Sequence, residues 1–241
     1  MKVRVLKPGS LSAAQRAAWS AIQCADPRFE SPFFRPEFTL AMAAVRSDVQ
    51  VGVMEDGGEP VAFLPFQRSG RVGRPVGGPL SDYQGVIARA GARWDAAELI
   101  RACGLAAWRF DHLIAAQDEF AAYHRRIEPS PFLELKDGFD AYRSALAASN
   151  QRYLAATFRQ ARQLGREVGP VRVQVASADR AALALLLRWK SAQYVRSGDA
   201  DLFAFPWARA LLERLLETRG ERFAGVLSLL FAGDHLVAAH M

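Results

Sequence analysis

Residues 221–241 read ERFAGVLSLLFAGDHLVAAHM, and this stretch decides how the rest of the chain is interpreted. The largely apolar run at 221–232 predicts a strand, Gly233-Asp234 predicts a two-residue turn, and residues 235–240 predict a return strand. The chain ends inside that return strand, so we expect the fold to which this hairpin belongs to be incomplete here.

Two helices and a strand precede the hairpin. Residues 171–176 alternate as a strand, and Ser177 or Asp179 is a suitable cap for a helix that runs to about residue 196. Pro206 then opens a second helix that Gly220 ends. The predicted order is β-α-α-β-β.

The same order is predicted at the N-terminus. A strand at 2–6 precedes a helix capped by Ser10 or Ser12, and Pro36 opens a second helix. Strands at 49–54 and 61–67 then flank the turn Asp56-Gly57-Gly58. We interpret the two stretches as an internal structural repeat whose second copy is incomplete.

The first copy continues beyond its hairpin. Further strands are expected at 71–78, 83–88, 107–113 and 132–135, with helices at 94–103 and 117–123. A hairpin followed by β-α-β crossovers predicts an α/β fold with a mixed sheet and helices on its faces.

This pattern divides the chain into three parts. We expect a first, complete domain at 1–136, a helical linker at 137–168, and the first half of a second domain at 169–241. In the linker, residues 138–148 are expected to form one helix, and Ser149 or Asn150 is a suitable cap for a second helix that runs to about residue 166.

The composition of the chain indicates a globular protein. The chain has 241 residues, of which 51% are hydrophobic, and this is typical of a globular protein. The N-terminus has no signal-peptide pattern, and no apolar run reaches the roughly 20 residues of a membrane span, so we expect a cytoplasmic protein. Cys24 and Cys103 show no metal-site or disulfide spacing and are expected to pack as small apolar residues.

Basic residues outnumber acidic ones, giving a formal charge of +6, and almost all of them are arginine. Arginine suits phosphate and carboxylate recognition, but arginine with abundant alanine is also typical of a GC-rich bacterial genome.

Four segments carry a resemblance to a known family: SPFFRPEF at 31–38, GGPLSDYQGVI at 77–87, WKSAQYVRSGDADLF at 189–203, and LSLLFAGDHLVAAH at 227–240. Their order resembles tandem GNAT acetyltransferase domains, as in the Fem-type aminoacyl ligases. It is still more similar to the CelD/BcsL family, whose acetyltransferase domain is BioF2-like.

The resemblance implies a GNAT-like fold and an N- or O-acyltransferase. Such an enzyme moves an acyl group from acetyl-CoA or another acyl-CoA to the amine or hydroxyl of a small molecule or saccharide, in polysaccharide or cell-envelope biosynthesis. Two alternatives remain open. One is a non-catalytic binding module, and the other is a Fem-like ligase, the one case that implies a nucleic acid, aminoacyl-tRNA.

The cofactor site is the point at which this sequence departs from the family. In GNAT domains the acyl-CoA pyrophosphate lies on the N-terminus of the helix after the fourth strand. The corresponding stretch in the first copy, VIARAGARWD at 86–95, matches that pattern poorly, and residues 169–241 show no such strand and helix. We therefore expect this chain not to bind acyl-CoA and to be inactive by itself.

Two groups of residues are candidates for acceptor binding. Asp82, Tyr83 and Gln84 form a polar loop among glycines, which we expect to face a cleft between the domains; the alternative is an ordinary turn. A second group shares one helix face through its i, i+3, i+4 spacing, and the alternative is a solvated face. Its members are Lys190, Gln193 and Tyr194.

Two further features are weaker. His240 is a candidate catalytic base, or an incidental strand residue. An arginine stripe on the linker helix could meet phosphates, or simply be a solvated face; it comprises Arg152, Arg159, Arg162 and Arg166. No metal site is predicted. The apolar edge of the last hairpin predicts self-association.

Overall fold

Two segments with the element order β-α-α-β-β are joined by a long helix in the computed structural model, which describes residues 2–241. We call residues 2–136 the N-terminal segment and residues 169–241 the C-terminal segment. The strands are β1 (Lys2–Leu6), β2 (Val49–Asp56), β3 (Glu59–Ser69), β4 (Val72–Arg74), β5 (Ile87–Ala88), β6 (Ala107–Trp108), β7 (Val171–Ser177), β8 (Leu227–Ala232) and β9 (His235–His240). The helices are α1 (Ala13–Ala25), α2 (Pro36–Val45), α3 (Ala96–Ala102), α4 (Gly138–Glu167), α5 (Arg180–Ser197) and α6 (Pro206–Glu217).

The N-terminal segment is built on a mixed sheet in the order β1-β2-β3-β4-β6, with β5 paired to the first half of β3. All pairs are antiparallel except β4 with β6. Helix α1 covers one face, where Trp19 stacks on Phe63 with ring centroids 4.9 Å apart. Helix α3 covers the other face through Leu99 and Cys103. The mixed sheet with helices on both faces confirms the predicted fold class.

Local sequence explains where the helices begin. Ser12 accepts a hydrogen bond from the backbone N–H of Gln15, whose side chain accepts one from the Ser12 backbone N–H in return. This capping box satisfies two donors that the helix leaves free. Asp179 caps α5 through its side chain, which accepts hydrogen bonds from the backbone N–H groups of Ala181 and Ala182.

Gly52 in the middle of β2 shows why α3 lies so close to the sheet. A Cβ at this position would lie 2.6 Å from the Cys103 sulfur, so only glycine admits the helix end here. Burial raises the pKa of the Cys103 thiol to about 11, and the thiol therefore stays protonated at neutral pH. Cys103 packs as the small apolar residue that the sequence predicts, whereas Cys24 is exposed.

The C-terminal segment repeats the first five elements of the N-terminal one. Its sheet has the order β7-β8-β9, with both pairs antiparallel, and Leu183 of α5 and Leu216 of α6 pack in one cluster with Leu229 of β8. The entry to the second helix is also repeated. Ser31 and Asp201 each accept a hydrogen bond from the backbone N–H two residues later, and a proline five residues on opens α2 or α6.

Five predictions for the N-terminal segment need correction. Residues 132–135 form no strand, because they are exposed and make no ladder with the sheet. The stretch predicted as a helix at 117–123 is a 3-10 helix, Asp118–Tyr123. The strands expected at 71–78, 83–88 and 107–113 are regular over only three, two and two residues.

Helix α4 joins the segments and lies almost free of them. It has 30 residues, none of them buried, and it breaks at Asn150, whose φ of −149° is not helical. The Asn150 side chain accepts a hydrogen bond from the backbone N–H of Tyr153 and so caps the second half, as predicted. Neither α4 nor any other helix within residues 2–241 is long and apolar enough to cross a bilayer.

The two segments meet through α2 and α6, the equivalent helices of the repeat. Leu211 of α6 is 1% exposed and packs in one cluster with Phe38 and Met42 of α2. At the edge of this contact the Arg46 guanidinium lies over the Trp207 ring, 5.3 Å from its centroid. An apolar contact with a cation–π pair at its rim therefore holds the two sheets together.

A polar network fixes the α2 end of this contact. Asp48 accepts hydrogen bonds from Arg46 Nε (2.9 Å) and from the Gln67 amide (3.2 Å), and Gln67 in turn accepts one from the backbone N–H of Gly77. Burial alone would raise the pKa of Asp48, but the hydrogen bonds from Arg46 and Gln67 outweigh burial and hold the pKa below its usual value. The ionised carboxylate thus stabilises the arginine that contacts α6.

We expect Leu211→Ala to lower the free energy of unfolding by about 2–5 kcal/mol, because it leaves a cavity between α2 and α6. Denaturant titration followed by circular dichroism measures this loss. The exposed neighbour Glu213 is the matched control, and Glu213→Ala should change stability by no more than about 0.5 kcal/mol. Equal effects of the two variants would contradict a buried contact between the segments.

Asp48 should make stability dependent on acid pH. Because its folded-state pKa is lowered, its contribution is fully present above the unfolded pKa of about 3.9 and is lost as the pH falls through the folded value. We expect Asp48→Asn to be less stable than the parent at pH 7 and to lose less stability between about pH 5 and pH 2. Parallel acid-unfolding curves for the two proteins would show that Asp48 carries no such linkage.

Candidate functional site

The loop predicted as a binding site lies beside the stretch that follows β6. Gln84 and Leu113 form a parallel bridge, in which the Gln84 backbone N–H donates to the His112 carbonyl (3.0 Å) and the Ile114 N–H donates to the Gln84 carbonyl (3.1 Å). Asp82 and Tyr83 therefore lie next to residues 111–114, which are distant in sequence. This neighbourhood depends on the register of two parallel segments.

Gln84 is the anchor of this neighbourhood. Its side chain is 2% exposed, and its Nε2 donates to the Ser81 carbonyl (3.1 Å) and to Asp111 Oδ1 (2.6 Å). Its Oε1 accepts hydrogen bonds from the backbone N–H groups of Asp111 and His112, both at 3.1 Å. All the hydrogen-bonding groups of the amide have partners within the protein. Gln84 therefore positions the loop and has no group left to bind a ligand.

The same contact presents an imidazole beside a carboxylate. Asp111 Oδ1, held by Gln84, lies 3.3 Å from His112 Nδ1, and the His112 side chain is half exposed. A carboxylate at Nδ1 favours the tautomer in which Nε2 is free to accept a proton. The sequence assigned His112 no role, because nothing in its own neighbourhood pairs it with a loop 28 residues earlier.

An open groove of about 1730 Å³ runs along this edge of the N-terminal segment. Asp82, Tyr83 and His112 line it, together with an aromatic wall of Trp108 and Phe110. The groove is larger than a typical small-molecule pocket and is open to solvent, so its shape suits an extended ligand.

Two polar atoms in this wall have no partner. Trp108 Nε1 and His124 Nε2 are both buried without a hydrogen bond, and the Phe110 ring lies between them, 5.4 Å from Trp108 and 6.1 Å from His124. Buried polar groups without partners are rare and call for an explanation. Both atoms lie beneath the surface of the groove and are not open to a ligand in it.

The second predicted group lies elsewhere. Lys190 Nζ is 3.2 Å from Gln193 Oε1 and 5.9 Å from the centroid of the Tyr194 ring, which packs on Phe203. The three side chains share one helix face, as their spacing predicts. None of them lines the groove, so the structure does not combine the two groups into one site.

His240 is also separate from the groove. It is exposed at the end of β9, where it pairs with Ser228. Within residues 2–241, no group of three His, Cys, Asp or Glu side chains is arranged to hold a metal ion.

The fit of an acyl-CoA can be tested at α3, the helix that follows β5 in the N-terminal segment. The Asp95 carboxylate accepts a hydrogen bond from the Glu98 backbone N–H (2.8 Å), and Glu98 adds a second acidic side chain to the first turn. Both repel a phosphate. The first turn of α3 therefore does not fit the pyrophosphate of acyl-CoA.

Comparison with known proteins gives one family. Residues 149–241 match the family model described as an acetyltransferase (GNAT) domain, and the match begins one residue before the break in α4 at Asn150. No curated protein and no solved structure matches the chain. The C-terminal part of this mixed α/β protein is therefore similar to GNAT-type acetyltransferases, which supports an acyl-CoA acyltransferase-like fold and a general acyltransferase function.

We expect Gln84→Leu to destabilise the protein by about 1–3 kcal/mol, because the backbone N–H groups of Asp111 and His112 lose the acceptor that the buried Gln84 side chain provides. Thermal unfolding measures this change. Asp82→Asn is the control in the same loop, and since Asp82 is exposed it should leave stability within about 0.5 kcal/mol of the parent. A tolerated Gln84→Leu would contradict the anchoring role.

Proposed function

We propose that the protein is a GNAT-type acyltransferase of the CelD/BcsL kind. It would serve the transfer of an acyl group from acyl-CoA to the amine or hydroxyl of a small-molecule or saccharide acceptor, in cytoplasmic steps of polysaccharide or cell-envelope biosynthesis. The observation that carries this proposal is the GNAT match at residues 149–241, whose β-α-α-β-β order the N-terminal segment repeats.

In this proposal the groove of the N-terminal segment holds the acceptor. Asp82 and Tyr83 line it, so they remain acceptor-binding candidates, whereas Gln84 acts by positioning them. Trp108 and Phe110 line the groove with aromatic side chains, and aromatic faces pack on the C–H surfaces of sugars. A saccharide satisfies these features better than an apolar ligand does.

His112 would take the proton of the acceptor. Its imidazole is half exposed on the groove and is oriented by Asp111, so it can accept a proton from an ammonium or hydroxyl group of the acceptor. Asp111 stabilises the imidazolium that forms. His240 and the face of Lys190, Gln193 and Tyr194 are alternative candidates on the C-terminal segment.

Acyl-CoA binding is assigned to no residue of this chain, because Asp95 places a carboxylate where a phosphate would lie. The same observation favours a second candidate function, a non-catalytic module that binds an acceptor or partner. A Fem-like ligase is a third, since the arginine stripe lies exposed on α4 and could meet tRNA phosphates.

A tetrasaccharide of β-1,4-linked glucosamine offers both an amine and hydroxyl groups and is the probe for the groove. We expect it to quench tryptophan fluorescence and to bind about tenfold more weakly to Trp108→Phe, which keeps an aromatic ring but reduces the aromatic surface on which a sugar packs. Tyr194→Phe on the other candidate face is the matched control and should bind as the parent does. Weakening by Tyr194→Phe alone would move the acceptor site to α5.

Titration calorimetry with unacylated tRNA separates the Fem-like ligase from the other two functions, and titration with acetyl-CoA tests whether this chain lacks the cofactor site. We expect neither to bind this chain at low micromolar concentration. A 1:1 acetyl-CoA complex would show that the cofactor site has been misplaced. Tight tRNA binding that Arg159→Gln/Arg162→Gln abolishes would favour the Fem-like ligase, and failure of both the tetrasaccharide and acetyl-CoA to bind would leave the acyltransferase proposal without support.

A further inference from the structure

The second half of α4 has two faces of different chemistry, an apolar face on which Leu154 and Leu164 are half-buried and an exposed basic face. At about 100° per residue, Tyr153, Leu154, Phe158, Ala161 and Leu164 fall within an arc of about 140°, which we call the apolar arc. No residue of α4 is buried, and Tyr153 and Phe158 are 59% and 43% exposed. A surface helix of a globular protein normally turns such an arc toward a core.

The arginine stripe runs beside the apolar arc on the same helix. Its four members fall together at about 80° to 160° from Leu154, and no acidic residue occurs between residues 151 and 166. No stripe side chain has an ion-pair partner within the described residues. The occupant of this surface must therefore be both apolar and anionic.

We propose that the second half of α4 docks the protein on the surface of an anionic lipid bilayer. A basic amphipathic helix is typical of this use: the apolar arc enters the boundary between headgroups and acyl chains, while the arginines meet the lipid phosphates. The helix would lie in the plane of the surface and would not cross the membrane. This inference does not depend on the acyltransferase proposal.

A nucleic acid and a second copy of the chain would each be complementary to only one of the two faces. A nucleic acid would neutralise the arginine stripe but leave the apolar arc in water. A second copy of the chain could cover the apolar arc but would bring a second set of arginines beside the first, which like-charge repulsion disfavours. A bilayer with anionic lipids satisfies both faces at once.

Vesicle flotation of the full chain tests the proposal. At about 0.1 M salt we expect binding to phosphatidylcholine vesicles that contain about 30% phosphatidylglycerol, and little binding to phosphatidylcholine alone. Phe158→Asp should abolish flotation, and Arg159→Gln/Arg162→Gln should lower the partition coefficient about tenfold. Because these side chains are exposed, the variants should keep the thermal stability of the parent.

Arg71→Gln/Arg89→Gln is the matched control, since both residues are exposed outside α4 and the pair removes the same charge. It should float as the parent does. Equal loss in this control would reduce the effect to net charge and overturn the proposal. Binding independent of phosphatidylglycerol, no binding to either vesicle, or binding of unacylated tRNA through the same arginines without vesicle binding would overturn it as well.

Discussion

The buried contact between α2 and α6 is the constraint on which the rest of the arrangement depends. Leu211 enters the cluster of Phe38 and Met42, and this contact joins the two sheets into one body. The helices are equivalents in the internal repeat, each opened by a proline after a capped 3-10 turn. The repeat therefore gives rise to the interface as well as to the element order, because the second helix of one segment contacts the second helix of the other.

The contact between α2 and α6 also influences the position of the loop that carries Asp82 and Tyr83. Leu80 packs against the clusters of both segments, so the chain just before Ser81 is fixed on the C-terminal segment. The Gln84 anchor then directs Asp82 and Tyr83 to the groove beside Trp108. The loop was expected to face a cleft between the domains, but its exposed side chains line a groove built from the N-terminal segment. That segment offers polar and aromatic groups to an acceptor, while Asp95 excludes a phosphate from its helix.

Much of the fold could be predicted from local signals. The Ser12, Asn150 and Asp179 caps mark helix starts within a few residues of sequence, and alternating apolar residues mark β1, β2 and β3. The site could be predicted only in part. Gln84 meets His112 through a parallel register set by packing across the sheet, and no nearby spacing encodes it. The strand expected at 132–135 does not form. An apolar run becomes a strand only when the edge of another strand is available to pair with it, and the local sequence does not encode that edge.

The central functional claim is that an acceptor binds beside the Asp111–His112 pair. Amide and imidazole chemical-shift mapping by NMR, during titration with the glucosamine tetrasaccharide, tests it most directly. The largest shifts should fall on Asp82, Tyr83 and residues 108–112, including the His112 ring, with residues 186–207 and His240 unchanged. Shifts confined to α5 or to the end of β9 would contradict the claim and place acceptor binding on the C-terminal segment.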